Sequence, residues 1–339
     1  MNSKPTLLDM PDIAMNIILR KCDFPSIMSL RKVCHNLRNF IDEANLDNFF
    51  DKFQIRINGT QIEFFLSTSD QNERMYPLGK NVLTTYEKSL YDRSIVRSNI
   101  QWKTRPSCPN SVIACFCADL NVALNFHKSV ISEFNLDLWA NNRHEEFFKE
   151  FFKSRRSLLK VKKIRINVSD CSQALQMLPE IDPESLVKMD LKVRGGAESE
   201  EDMSRLYQMD QWKKANELVL SSPLNTIQAQ YYTHFTKGEI HFVMLDLNAL
   251  MVLRQAFMEN SPNLDEFILR SYAAESSIFA QCLGEKLQIQ DVKNVDVWNF
   301  ISQKLRQVVI VTKSIWNVTF HRIRFVDVFS ANNFSAKCK

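Results

Sequence analysis

The chain has few groups of residues with the types and spacing that catalysis or metal binding requires. Cys108, Cys115 and Cys117 lie close together, but a zinc site would use a C-x-x-C pair and a second such pair, and neither is present. The stretch HEEFFKEFFKSRR, from His144 to Arg156, has Phe148 where a metal-binding helix needs its second histidine. The sequence therefore predicts no metal site and no cofactor.

Other candidate residues also lack the accompanying residues that a catalytic or phosphate-binding motif requires. Asp210 and Trp212 are accompanied by no nucleophile elbow, glycine-rich phosphate loop or paired carboxylate. The adjacent glycines of RGGAESEED lack the lysine and hydroxyl residue of a phosphate-binding loop, so this segment is interpreted as an acidic, exposed turn. We expect no catalytic residue and no enzyme, and a hydrolase is disfavoured because it lacks a site.

The densest basic run is KSRRSLLKVKKIR, which spans Lys153–Arg165. Its simplest interpretation is a solvated helix end followed by the exposed face of a strand. The alternative is a positive patch for an acidic or phosphorylated partner, because guanidinium groups match carboxylates and phosphates. The run lacks the interleaved exposed aromatic residues that favour nucleic acid, because the nearby aromatic residues form one amphipathic stripe that should be buried. That stripe consists of Phe147, Phe148, Phe151 and Phe152.

The composition fits a globular protein with one large domain, or with one small and one larger domain. The chain has 339 residues, 45% of them hydrophobic, and a formal net charge of +4. This mild charge does not indicate nucleic acid. No apolar run reaches the roughly 20 residues that cross a bilayer, and no secretory signal opens the chain. We expect a cytoplasmic and/or nuclear location, no membrane partner, and thiols rather than disulfides at the 8 cysteines.

The first fifty residues predict two short helices. Pro11 opens the first helix, and the Phe24-Pro25 step ends it. The second helix, capped by Ser26, has an apolar stripe formed by Ile27, Leu30, Val33, Cys34, Leu37 and Ile41. Two helices this short bury little surface between them. Their apolar face must be covered either by the rest of the chain or by a partner, and the periodicity alone favours neither.

This stretch resembles an F-box, a motif that binds the Skp adaptor. The F-box pattern is Leu-Pro, then Ile-Leu, then Leu-x-x-Leu, then Val-Cys and a basic residue. The chain matches it in register with Met10-Pro11, Ile18-Leu19, Ile27, Leu30, Val33-Cys34 and Arg38. Ala14 and Cys22 depart from the pattern, since leucine is usual at both positions. The resemblance implies that the adaptor face or its support includes Met10, Pro11, Ile18, Leu19, Leu30 and Val33.

The rest of the chain predicts strands and helices. Asn58-Gly59 within the alternating segment Phe53–Leu66 predicts a β-hairpin. Beyond Pro109, the pattern apolar-x-x-apolar-x-apolar recurs about every 22 to 30 residues, which is typical of strand-plus-helix repeats. The copies begin at Ile131, Val161, Leu186, Ala215, Lys237 (a weaker copy), Leu264, Val292 and Ile315. We therefore expect a mainly α+β fold, in which the F-box helical hairpin precedes an irregular leucine-rich-repeat-like β/α solenoid.

A second resemblance covers SEEDMSRLYQMDQWKKANELVLSS, from Ser199 to Ser222. It is similar to the FTH homology domain of the nematode F-box A proteins, in which an acidic lead-in, an Asp-Gln-Trp-Lys-x-Ala core and an apolar strand follow in that order. We expect Trp212 to be a buried anchor, with Lys213 and Lys214 facing solvent. The predicted domains are an F-box at 1–50, a connecting region with the hairpin at 51–110, and an FTH/repeat domain at 111–339 with its core at about 180–300.

Together the two resemblances imply a substrate-recruiting subunit of a Skp–cullin–F-box ubiquitin ligase. The F-box would bind a Skp-family adaptor, and through it a cullin, while the repeat domain would hold an unknown protein target. The alternatives are a protein-binding module without ubiquitin transfer, or a nucleic-acid-binding solenoid that uses the Lys153–Arg165 run. Because solenoids bind along an extended surface, the strand positions between the apolar ones form the predicted target face. They are Arg165, Asn167, Lys188, Asp190, Lys192 and Arg194.

Overall fold

The chain folds into two compact units. The first comprises Met1–Lys163 with Glu180–Ser185, and the second comprises Ile164–Pro179 with Leu186–Lys339. The computed structural model describes residues 10–22, 24–44, 50–59, 61–67, 81–88, 94–98, 101–105, 111–127, 129–139, 144–153, 157–195, 199–224, 228–260, 263–273, 276–285, 287, 296–302, 307–314 and 317–323. The domain boundaries that the sequence predicted at residues 50 and 110 stay a prediction.

Three short helices open the first unit, where the sequence predicted two. They are α1 (Asp12–Lys21), α2 (Phe24–Leu30) and α3 (His35–Glu43). The predicted second helix is divided because Cys34 adopts an extended backbone and its sulfur accepts a hydrogen bond from the Leu37 N–H at 3.5 Å. Cys34 is thus the N-cap of α3 rather than a member of a continuous stripe.

The first unit also contains a sheet with the order β6-β1-β2-β3-β4-β5. Its strands and helices are β1 (Lys52–Ile57), β2 (Gln61–Ser67), β3 (Asn81–Lys88), β4 (Ser94–Ser98), β5 (Gln101–Arg105), α4 (Val112–Phe126), β6 (Ile131–Leu138) and α5 (His144–Lys153). The predicted hairpin is confirmed, because β1 and β2 pair antiparallel with Phe53 opposite Leu66. Asn58 closes its turn by accepting a hydrogen bond from the Gln61 N–H at 2.7 Å.

Aromatic side chains fill the space between the two helices of this sheet region. Phe116 of α4 stacks on Phe147 of α5 with ring centres 6.3 Å apart, and Phe64 of β2 meets Phe116 edge-on at 5.6 Å. Phe147, Phe148 and Phe151 are buried, so the predicted aromatic stripe of α5 is a core face. The residues 154–156 of the basic run lie outside the described residues.

The second unit alternates strands and helices over most of its length. Strand β7 (Val161–Val168) enters it, and the following elements are α6 (Cys171–Met177), β8 (Lys188–Val193), α7 (Glu200–Gln208), α8 (Asp210–Lys214), β9 (Glu217–Leu224), β10 (Lys237–Met244), α9 (Leu247–Asn260), β11 (Glu266–Ala273), α10 (Ser276–Leu283), β12 (Asp296–Ser302), β13 (Gln307–Lys313) and β14 (Asn317–Ile323). Short 3₁₀ turns occur at Leu178–Glu180 and Ala229–Tyr231.

The sheet of this unit has the order β12-β13-β14-β11-β10-β9-β8-β7. Strands β8 to β11 run parallel in sequence order. The last two copies of the apolar-x-x-apolar-x-apolar pattern were interpreted as further strand-plus-helix repeats, but β12, β13 and β14 form an antiparallel meander on β11. Val292, Val295 and Ile315 of those copies lie outside the described residues.

Trp212 is the centre of an aromatic cluster in the second unit, as expected for an anchor. Its ring is buried, and its Nε1–H donates to the backbone oxygen of Tyr231 at 2.9 Å. Tyr207, Tyr232 and Phe235 meet the indole edge-on. The Tyr207 and Tyr232 hydroxyls are hydrogen-bonded at 2.8 Å, and burial raises the pKa of Tyr207 to about 12. Lys213 and Lys214 are exposed, as predicted.

Gly238 lies where the Phe267 side chain of the neighbouring strand passes close to the backbone. It lies opposite Phe267 in the parallel pairing of β10 with β11. A Cβ atom at position 238 would overlap the Phe267 ring, so only glycine fits without a shift of the ring. Within the described part of the chain, no helix is long and apolar enough to span a membrane.

Candidate functional site

The outer side of α1 carries large apolar side chains that are open to solvent. Ile13 is 77% exposed and Ile17 is 54% exposed, one helical turn further on. Met10 and Ile18 are also exposed. Met15 and Leu19 point the other way and are buried, so α1 is divided between an inner and an outer apolar side.

The turn between α2 and α3 adds a further exposed apolar residue. Val33 is 69% exposed in this turn, and Leu30 at the end of α2 is half-buried. Ile27, Leu37 and Ile41 are buried. We call the exposed set Met10, Pro11, Ile13, Ile17, Ile18 and Val33 the helical face.

The predicted adaptor residues divide by exposure. Met10, Pro11, Ile18 and Val33 belong to the helical face, whereas Leu19 is fully buried and supports the helices from inside. Sequence reasoning left Ile13 and Ile17 out of the site. Their spacing of four residues, which places them on one side of α1, is the signal that could have found them.

An ion pair holds the turn next to the helical face. The Arg31 guanidinium donates two hydrogen bonds to the Asp42 carboxylate of α3, Nε to Oδ1 at 2.7 Å and Nη2 to Oδ2 at 2.9 Å. Arg38 Nε donates to the backbone oxygen of Arg31 at 3.1 Å. These contacts link the turn that contains Val33 to α3.

In the second unit, one side of the sheet carries polar side chains. Along β7 and β8 these alternate with buried apolar residues, which places all six predicted target residues on the same side, although Asp190 itself is buried there. Arg165 Nε donates to Asp190 Oδ2 at 2.7 Å, and Arg194 Nε donates to Asn167 Oδ1 at 2.8 Å. The two contacts join β7 to β8. Whether these residues bind a target stays a prediction.

The same side continues over the neighbouring strands, and we call it the open face. Its described positions are Arg165 and Asn167 of β7; Lys188, Asp190 and Lys192 of β8, with Arg194 directly after; Glu217, Val219, Ser221 and Pro223 of β9; Lys237, Glu239, His241 and Val243 of β10; and Glu266, Ile268 and Arg270 of β11.

Ion pairs cross the open face between strands. Lys188 Nζ lies 3.4 Å from Glu217 Oε2. Glu239 accepts hydrogen bonds from Arg270 and from His241. Burial alone would raise the pKa of the Glu239 carboxyl. The hydrogen bonds and charges of Arg270 and His241 have the larger combined effect, so the pKa lies below its ordinary value.

The described residues contain no group of three or more His, Cys, Asp and Glu side chains arranged to hold a metal ion. Cys108 of the cysteine group lies outside them. Cys117 is buried in α4, and burial raises the pKa of its thiol to about 12, with the nearby Glu150 and Glu146 adding to the effect. A thiol with such a pKa is a poor nucleophile near neutral pH.

Comparison with family models finds similarity in two segments of the chain. The F-box domain model matches residues 7–49, which contain α1, α2 and α3 with the whole helical face. The opening helices of the chain are therefore similar to the F-box domain. The FTH domain model matches residues 142–286, which contain the Trp212 cluster and the open face.

The chain thus has the F-box plus FTH architecture that its sequence predicted. A search of curated proteins and a search of solved structures each found no match. The F-box domain implies a role as a substrate adaptor in a Skp–cullin–F-box ubiquitin ligase. F-box and FTH domains are typically adaptor or binding modules rather than enzymes.

Proposed function

We propose that this protein recruits a protein target to a Skp–cullin–F-box ubiquitin ligase, with the helical face bound to a Skp-family adaptor and the second unit bound to the target. The observation that carries the proposal is the helical face itself. Single exposed apolar residues are common on protein surfaces, but several large ones in one short segment favour an interface. Here Met10, Ile13, Ile17, Ile18 and Val33 are all exposed and all fall within the segment that matches the F-box.

The adaptor interface would stabilise the helices as well as the complex. Ile13, Ile17 and Val33 leave most of their side-chain area in water in the free chain. Covering apolar area contributes about 25 cal/mol per Å². Helical periodicity alone did not show whether the rest of the chain or a partner covers this apolar face. The exposure of these three residues supports a partner.

The mechanism we propose is proximity. The adaptor links the chain to a cullin, and an enzyme bound to that cullin transfers ubiquitin to the target. Holding both parts in one assembly makes their encounter intramolecular, with an effective concentration up to the millimolar range. No residue of this chain needs to do chemistry, and we propose no catalytic role for any of them.

For the second unit we propose a repeat-like β/α array whose open face holds the target. Its support is the parallel run of β8 to β11, with helices or short turns between the strands. Such arrays bind partners along extended surfaces. We also propose a cytoplasmic and/or nuclear location, where Skp–cullin assemblies would meet the protein.

Co-expression with a Skp-family adaptor tests the docking. The wild-type chain should co-purify with the adaptor, whereas the double variant Ile17→Asp, Val33→Asp should not, because two buried and unpaired carboxylates would oppose the contact. The matched control is Met251→Asp, Val252→Asp, which changes two exposed apolar residues of α9 in the second unit. Equal recovery of the adaptor with wild type and with the Ile17/Val33 variant would rule out the proposed docking.

A further inference from the structure

Strand β12 lies at the end of the sheet in the second unit. It comes first in the strand order, and β13 pairs with it over its whole length. On the other side of β12, the Leu287 N–H donates to the carbonyl oxygen of Val297 at 2.8 Å. Among the residues that the structure describes, no strand pairs with this outer side. We call the outer side of β12 at Asn299 and Ile301 the free edge.

The Leu287 contact shows which way the main-chain groups of β12 point. In an antiparallel pair, every second residue exchanges its N–H and C=O with the partner strand, and the residues between direct both groups away from it. Because the Val297 carbonyl points away from β13, the main-chain groups of Asn299 and Ile301 do so as well. Within the described part of the chain, no further residue bonds to these outward groups. The free edge therefore presents N–H donors and carbonyl acceptors that can bind another strand.

Strand β12 lacks the features that usually protect an edge strand from pairing. Natural edge strands often carry lysine, proline or a bulge. The sequence of β12 is DVWNFIS, which has neither lysine nor proline, and its pairing with β13 contains no register shift. Ile301 is 63% exposed, and the side chain of Leu287 is exposed as well. An apolar edge without protection is the kind of surface to which extended peptides add as a strand.

We propose that the free edge binds an extended segment of the protein target, rich in β-branched residues, which adds to the sheet as a further strand. The inference rests on the proposed function, since it takes the second unit as the part that holds the target. An extended peptide directs its N–H and C=O groups to one side at every second residue, which is the spacing of Asn299 and Ile301. β-Branched side chains suit such a strand because they pack well on a pleated surface.

The register of the sheet places the free edge beside the proposed target face. Asn299 lies opposite Ile310, and Ile310 lies opposite His321. His321 lies opposite Glu266, which belongs to the open face. Directly opposite residues have their side chains on the same side of a sheet. Asn299 and Ile301 therefore project on the side of the open face, and so would every second side chain of an added strand.

The length of the free edge favours a peptide over a second copy of the chain. Stable protein interfaces bury about 1,200–2,000 Å² in total. Pairing of β12 with the β12 strand of another copy would use the outward main-chain groups of Asn299 and Ile301 from each chain, since Leu287 already occupies the Val297 carbonyl. That contact is short for a stable dimer, whereas a peptide that binds transiently needs less area.

The test uses a fluorescein-labelled peptide in which threonine and valine alternate, with a lysine at each end. Its binding to the full chain is measured by fluorescence anisotropy without the Skp adaptor. We expect Asn299→Pro to weaken binding at least about tenfold, because proline removes an outward N–H while the bonds to β13 remain. The matched control is Asn299→Ala, which keeps the N–H at an exposed position and should bind within about twofold of wild type.

A second measurement changes the peptide instead of the protein, so it does not depend on the folding of a variant. The same peptide is N-methylated at every threonine and valine. These residues then have no N–H to donate, and the methyl groups hinder the approach of a neighbouring strand. We expect binding of the methylated peptide to wild type to be at least about tenfold weaker than binding of the unmodified peptide.

Equal binding by Asn299→Pro and Asn299→Ala, or equal binding of the two peptides, would overturn the inference. So would no binding of the unmodified peptide up to about 1 mM. A wild-type dimer that Asn299→Pro converts to a monomer in analytical ultracentrifugation would overturn it by assigning the free edge to a second copy. Co-purification with the Skp adaptor is measured separately. A wild-type chain that binds the adaptor but not the peptide contradicts this inference alone, and one that binds the peptide but not the adaptor contradicts the proposed function alone.

Discussion

The contribution of α1 to adaptor binding can be worked out from the exposure of two residues. The perturbation is Ile13→Ser with Ile17→Ser. Both side chains project from the outer side of α1. Serine has a helix propensity close to that of isoleucine, so the substitutions remove apolar area with little effect on the helix.

The magnitude follows from the exposed fractions of 77% for Ile13 and 54% for Ile17. Burying a whole isoleucine side chain contributes about 1.5–3 kcal/mol. If the adaptor covers both exposed portions, their loss costs about 2–4 kcal/mol of binding free energy. This corresponds to an increase in Kd of about 30- to 700-fold.

The assay is titration calorimetry of the full chain with a purified Skp-family adaptor. Urea unfolding accompanies it, and the double variant should stay within about 0.5 kcal/mol of wild type because exposed positions tolerate substitution. The control variant is Met251→Ser, Val252→Ser on α9, where the exposed fractions are 50% and 38%. An increase in Kd below about threefold, or an equal increase in the control, would refute the assignment of this side of α1 to the adaptor.

Three further predictions concern the stability and reactivity of the chain. Trp212→Phe should cost about 1–3 kcal/mol in urea unfolding followed by circular dichroism, because a cavity forms and the Tyr231 carbonyl loses its donor; an unchanged midpoint would contradict this. Because the pKa of Glu239 lies below its ordinary value of 4.5, the pair with Arg270 contributes stability above that pH and loses it as the pH falls through the lowered pKa. The unfolding free energy of wild type should therefore fall more steeply below pH 4.5 than that of Glu239→Gln, and parallel curves would count against the pair. Cys117 should react with iodoacetamide at least about a hundredfold more slowly in the folded chain than in urea, as measured by mass spectrometry, and equal rates would disprove its burial.

The sequence indicated the local elements well where one short-range signal decides the structure. Asn58-Gly59 between alternating residues is enough to specify the β1–β2 hairpin. The apolar stripe of the opening segment did not reveal the break before α3, because Val33 and Cys34 keep helical spacing while Cys34 is extended. The stripe also could not separate Leu19, which is buried, from the adjacent Ile18, which is exposed.

Long-range pairing was harder to predict. The pattern apolar-x-x-apolar-x-apolar describes any strand with one buried side, so it could not distinguish the parallel β8–β11 run from the antiparallel β12–β14 meander. The pairing of Arg165 with Asp190 depends on the register of β7 against β8, which no single strand encodes. The open face could therefore be expected from alternation, but its charge distribution required the assembled sheet.

Hydrogen–deuterium exchange of the full chain, alone and with a Skp-family adaptor, tests the central claim most directly. That claim is that the helical face is an interface for the adaptor. The account predicts slower exchange of the backbone amides of α1, α2 and α3 in the complex, with unchanged exchange in the second unit. Unchanged exchange in all three helices, or slower exchange confined to the second unit, would contradict it.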